Sequence, residues 1–113
     1  WALVNEYLTR GEPWTHFKTD RERAALRVRT GVNLCRLFAL VAHPILPFTG
    51  DRILAALGLA EEPRDWPEGG AEAILAAIPP GAPFTPPDVL FAKIEDEWTA
   101  NWAERFGGAE SAA

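Results

Sequence analysis

The sequence predicts an all-α protein, and three observations carry that expectation. Leu3, Val4, Tyr7 and Leu8 recur at the spacing that gathers side chains on one face of a helix. A proline-free stretch from about residue 20 to about residue 42 turns almost wholly apolar toward its end. Near the carboxy terminus Ile94, Trp98, Trp102 and Phe106 fall at four-residue intervals, one stripe along a last helix.

Taken in order, the first helix is expected to stop near Arg10, with Gly11 in the left-handed conformation of a helix end. Pro13 suits the first position of a new short turn, where its missing N–H would have no partner anyway. Trp14 then sits just past a bend. Thr19-Asp-Arg-Glu22 has capping-box spacing and opens the long helix. From Val32 to Val41 that helix is apolar nearly all round, so it calls for neighbours on every side. Pro44 and Pro47 must break it. Thr49 is placed to cap a shorter helix, residues 51–57, ended by Gly58, with Ile53, Leu54 and Leu57 turned inward. Residues 59–88, rich in Pro, Gly and Glu, predict an irregular wrap around one apolar island, residues 73–78. The weak alternation of residues 89–94 favours an extended run. The last helix spans about residues 95–106, with acids at its start and Gly107-Gly108 at its end. Residues 1–108 form the expected domain, and residues 109–113 a disordered tail.

The 113 residues suffice for one core. No apolar run reaches the roughly 20 residues of a membrane span, and no signal peptide is visible. Cys35 is alone, which excludes an internal disulfide and favours a reducing, cytoplasmic setting. One Cys and two His make a protein-built metal site improbable. There is no methionine, and the opening residues read as the inside of a helix. The chain is therefore expected to be part of something longer, with further helices covering residues 32–41 and apolar dyes binding there without them. The net charge of −5 divides into +3 over residues 1–50 and −8 over residues 51–113. Local potential governs contact with RNA, so the amino-terminal half permits it.

Asn5-Glu-Tyr7 followed by Glu12-Pro-Trp-Thr-His-Phe-Lys18 resembles the N-x-Y…x-P-W-x-x-x-K signature of class I synthetase anticodon domains. Similar runs occur in the isoleucyl, valyl and leucyl enzymes. Asn33-Leu-Cys-Arg-Leu-Phe38, His43-Pro-Ile-Leu-Pro47-Phe-Thr49 and residues 53–58 follow the N-L-x-R-x-L…x-P-x-L-P-x-T…L-x-x-L-G course of the methionyl family. Trp66 and the closing Leu90-Phe-Ala-Lys-Ile-Glu95 extend the likeness, which covers about residues 2–97. The resemblance to methionyl-tRNA synthetases implies an antiparallel helical bundle, here incomplete, that reads the CAU anticodon of tRNA(Met). It implies a parent methionine–tRNA ligase whose ATP and zinc sites lie in a catalytic part beyond these residues. The H-I-G-H and K-M-S-K-S motifs, the zinc-bearing insert and an earlier Asn/Arg pair of anticodon readers have no counterpart here. No catalytic and no metal residues are expected in this segment, and the parent is expected to be monomeric.

From its residues alone Trp14 reads as an aromatic packed on the bend. The resemblance implies instead that it stacks on an unpaired anticodon base. Arg10 and Lys18 flank it and can meet phosphates or remain solvated. Asn5 can present its amide to a base edge or cap the following loop. Arg21, Arg23, Arg27 and Arg29 read as a solvated face paired with Asp20 and Glu22. Arg36, in an apolar stretch, calls for a carboxylate or carbonyl partner. The aromatic stripe from Ile94 to Phe106 reads as a staple onto the bundle or the catalytic part, while His16, His43 and Cys35 read as structural. The rival readings are the anticodon domain of another class I synthetase and a helical protein-interaction module without RNA binding. In the latter, the acidic half and the Trp98/Trp102 face would form the interface.

Overall fold

The structure, a computed structural model, describes residues 1–108; the expected tail, residues 109–113, lies outside them. Six helices and no strand occur among the described residues: α1 (Ala2–Gly11), α2 (Pro13–His16), α3 (Arg21–Ala42), α4 (Pro47–Ala56), α5 (Ala71–Ala76) and α6 (Asp96–Phe106). Helix α3 is the hub, since α1, α2, α4 and α5 all pack against it.

Three expected helix boundaries move, each for a physical reason. Gly11 is the last residue of α1 and is buried; Glu12 takes the left-handed conformation, at φ 40° and ψ 55°. The Arg27 side chain lies directly against Gly11, so a Cβ there would force that side chain to shift. The cap of α3 is Asp20, whose Oδ1 accepts from the Arg23 N–H at 3.0 Å, and not the Thr19–Glu22 box. Helix α4 starts at Pro47 rather than near Asp51, so Thr49 lies inside its first turn and caps nothing. Residues 89–94 pair with no strand; Arg52 instead gathers the carbonyls of Asp88, Val89 and Leu90 at 3.3–3.4 Å. Gly58 does end α4, at φ +74°.

The fully buried apolar core is small: Ala24, Ala39, Leu40, Leu54 and Ile78. Leu54 of α4 meets Ala39 and Leu40 of α3, with Ile53 and Leu59 against them. The α3–α4 contact is tight enough that a Cβ on Gly50 would lie 2.8 Å from the Ala39 carbonyl oxygen. Asn33, also fully buried, ties the wrap to α3. Its Oδ1 accepts from the Ile78 N–H at 2.8 Å, while its Nδ2 donates to the carbonyls of Arg29 at 3.0 Å and Ile78 at 3.3 Å.

Polar partners fasten the remaining segments. Arg36 finds its carboxylate in Glu62, with Nε donating to Oε1 at 2.8 Å and Oε2 at 3.1 Å. At the α3–α4 corner Asp51 Oδ1 accepts from Arg64 Nε at 2.9 Å and lies 3.1 Å from His43 Nε2. The hydrogen bond from Arg64 chiefly holds the Asp51 carboxyl below its ordinary value of 3.8; desolvation, the next largest effect, opposes it, and the hydrogen bond with His43 adds to the lowering. With the folded-state value depressed, the stabilisation is full above pH 3.8 and is lost as pH falls toward the folded value. The melting-temperature advantage of the wild type over Asp51→Asn is therefore expected to hold at neutral pH and to narrow below about pH 4. A gap that widened on acidification would contradict this.

Two expectations about side-chain partners are overturned. The arginines of α3 are not paired with Asp20 and Glu22. Arg21 stands over the Phe17 ring at 5.4 Å, Arg27 over the Tyr7 ring at 5.0 Å, and Arg29 Nε donates to the Ile78 carbonyl at 3.4 Å. Asp20 is occupied as a cap, and the packed elements offer rings and a carbonyl instead. Nor does the α6 stripe staple itself to the bundle, since α6 buries none of its residues, which leaves the catalytic part as the other surface it was expected to meet. Trp98 and Trp102 face each other at 6.3 Å, and Ile94 and Phe106 are exposed. Helix α3 likewise leaves Val32, Leu34, Leu37 and Phe38 only partly covered, and Val41 exposed.

Candidate nucleic-acid interface at the α1–α2 bend

The bend is built from three successive residues with different duties. Gly11 lets the Arg27 side chain lie against the backbone, Glu12 reverses direction, and buried Pro13 opens α2. The Glu12 N–H donates to the Leu8 carbonyl at 3.1 Å, closing α1. Its own carbonyl accepts from Thr15 at 2.9 Å and His16 at 3.1 Å, starting α2. Arg27, above Tyr7 and beside Gly11, locks α1 to α3 and so fixes the angle of the bend.

Trp14 is displayed on this frame with 64% of its surface open. Covering an indole removes about 150–250 Å² from water. At ~25 cal/mol per Å², leaving it this open forgoes ~2–4 kcal/mol of burial. Other aromatics are as exposed, Phe48 and Trp66 among them. What distinguishes Trp14 is its seat between two apolar hollows. One, of about 410 Å³, is lined by Val4, Asn5, Leu8, Trp14, Val32 and Cys35 among others. The second, of about 680 Å³, is lined by Pro13, Trp14, Phe17, Arg21, Ala24, Ala25 and Val28. An exposed ring between apolar recesses offers a π-face to a flat, unpaired base.

The other residues singled out from the sequence fall into place unequally. Asn5 lines the smaller hollow together with Trp14. Arg10 lies one residue before the bend and forms an exposed pair with Glu6 at 2.6 Å, an i,i+4 contact that water screens. Lys18 is exposed in the turn after α2. Neither Arg10 nor Lys18 lines either hollow. Burial pushes the Cys35 thiol up, which disfavours the reactive thiolate and accords with a packing role.

Sequence reasoning left Phe17 without a role and read Arg21 and Arg27 only as part of a solvated face. Phe17 follows Trp14 by three residues, the spacing of one helical turn, and Arg21 follows Phe17 by four. That periodicity was available but crosses the break after α2. Among the described residues no cluster of three His, Cys, Asp or Glu side chains could hold a metal ion. No helix is long and apolar enough to cross a membrane among them.

Comparison with known proteins adds to this geometry. Residues 1–111 match the family model described as the anticodon binding domain of methionyl tRNA ligase. The chain is 52% identical over 113 residues to a methionine–tRNA ligase of Maricaulis maris, covering 99% of the chain and 20% of that protein. It is 50% identical over 110 residues to that of Caulobacter vibrioides, covering 97% and 19%, and 50% identical over 108 residues to that of Paracoccus denitrificans, covering 96% and 18%. The chain thus spans about a fifth of the length of the curated relatives it matches. No solved structure matches it.

Proposed function

The chain belongs to the family of methionyl-tRNA ligase anticodon-binding domains, and on that premise we propose that it reads the anticodon stem-loop of tRNA(Met) within a methionine–tRNA ligase. The observation that carries this reading is Trp14, open on a rigid bend between two apolar hollows. Its indole is the stacking platform for one unpaired anticodon base, worth ~1–3 kcal/mol. Asn5, on the wall of the smaller hollow, offers its amide to a base edge. Arg10 and Lys18 supply exposed positive charge on either side of the bend, suited to phosphates rather than to base identity. Recognition here would orient the tRNA, while ATP-dependent activation of methionine, and any zinc, belong to the rest of a monomeric, cytoplasmic enzyme. The lone, half-buried Cys35 accords with that compartment.

The test is binding of the full-length protein to a CAU anticodon stem-loop and to one with a changed anticodon, beside the Trp14→Ala variant. A preference for CAU that falls by ~1–3 kcal/mol in the variant is the expected result. Equal, weak binding to both loops, untouched by the substitution, would favour a protein-interaction module instead. The exposed Trp98 and Trp102 of α6 would then be its surface.

A further inference from the structure

The larger hollow at the bend has two aromatic walls, and only one is used by a single stacked base. Phe17 is 58% exposed, close to the 64% of Trp14, and both rings line the same space of about 680 Å³. Its floor is Ala24, Ala25 and Val28, side chains too short to fill it. Ligand pockets run from ~300 to ~1,000 Å³, so this hollow holds more than one flat ring. The Arg21 guanidinium stands over Phe17 at 5.4 Å and lines the same hollow. A guanidinium over a ring holds that ring by cation–π attraction while its N–H donors point sideways, in its own plane. The ring thus has a cation beside it and still leaves more than half of its surface open for another partner.

We infer that Phe17 and Arg21 form a second nucleotide subsite beside Trp14: Phe17 stacks the unpaired base that neighbours the one on Trp14, and Arg21 neutralises a phosphate of that nucleotide. The inference rests on the anticodon-reading function proposed above. It deepens that reading by giving the domain a two-base platform. Residues on one wall carry stacking, which tolerates any base, and the guanidinium carries charge, so the two contributions separate experimentally.

The experiment uses the full-length protein and a CAU stem-loop, with a second loop series in which each position beside the Trp14-stacked base is abasic in turn. Phe17→Ala is expected to weaken binding of the intact loop roughly 5- to 150-fold. It should have almost no effect on the one loop that lacks the stacked base. Phe17→Tyr, which keeps the ring, should restore binding. Arg21→Gln should lower the slope of log affinity against log salt by about 0.7, the value for one phosphate of a single strand. Trp14→Ala is measured alongside. If Trp14→Ala weakens binding while Phe17→Ala and Arg21→Gln do not, the second subsite is overturned and anticodon reading stands. If none of the three changes binding, both fall. If Phe17→Ala weakens every abasic loop as much as the intact one, Phe17 acts through the fold and the subsite is again overturned.

Discussion

Replacing Asn33 by alanine is expected to destabilise the domain by about 2–4 kcal/mol. Asn33 is fully buried and spends its whole amide on backbone: the carbonyl accepts from the Ile78 N–H, and the amino group donates to Arg29 and Ile78. Removal leaves the buried Ile78 N–H without its partner, a loss of about 1–3 kcal/mol. The emptied space beside α3 adds to it. The Ile78 carbonyl fares better, because Arg29 also donates to it at 3.4 Å. Amide hydrogen exchange in the full-length protein reads the outcome directly. Exchange at Ile78 should accelerate roughly 30- to 1,000-fold, together with the adjacent turns of α3. An acceleration below about threefold would mean that the clasp contributes nothing. Asn33→Asp separates the two halves of the amide. It retains an acceptor for the N–H but sets a negative charge against two carbonyl oxygens, so it should not rescue stability.

The same residue shows where the sequence is legible and where it stops. Local signals located α3 within a residue, the Gly58 stop of α4 and the bounds of α6, because caps, prolines and acidic first turns act over a few residues. Arg36 announced that it needed an anionic or carbonyl partner. That the partner is Glu62, 26 positions on, depends on how residues 59–62 turn back after α4. Asn33 stood out only as the start of the Asn-Leu-x-Arg run, and nothing local named its partner, which lies 45 positions away in an irregular wrap. The bend erred by one residue for a comparable reason. Glycine is the usual left-handed residue, but here Gly11 lies under the Arg27 side chain, a contact from another helix, and Glu12 bears the positive φ. At the candidate site, Trp14 and Asn5 could be named from sequence. Phe17 and Arg21 could not, because their periodicity runs across the break between α2 and α3.

Leu54→Ala should cost a similar or larger amount, about 2–5 kcal/mol, and its consequence for RNA should differ from that of Trp14→Ala. Leu54 is fully buried, at the centre of the cluster that joins α4 to α3. The core is thin, with Ala39 and Leu40 opposite, and collapse onto the vacancy is limited because Gly50 already brings the α4 backbone against the Ala39 carbonyl. Ile45→Ala, at a side chain 82% exposed, is the matched control and should stay within about 0.5 kcal/mol. The cluster lies toward the carboxy-terminal end of α3, at Ala39 and Leu40, whereas the hollows at the bend are lined by α3 residues between Arg21 and Cys35. Loss of Leu54 should therefore reduce the folded population without changing the affinity of the molecules that remain folded. Excess CAU stem-loop should recover part of the lost stability by mass action. A Leu54→Ala protein that stays folded at 25 °C but loses affinity as strongly as Trp14→Ala would show that α3 transmits strain from the α4 contact to the bend. The two halves of the helix would then act as one unit in RNA recognition.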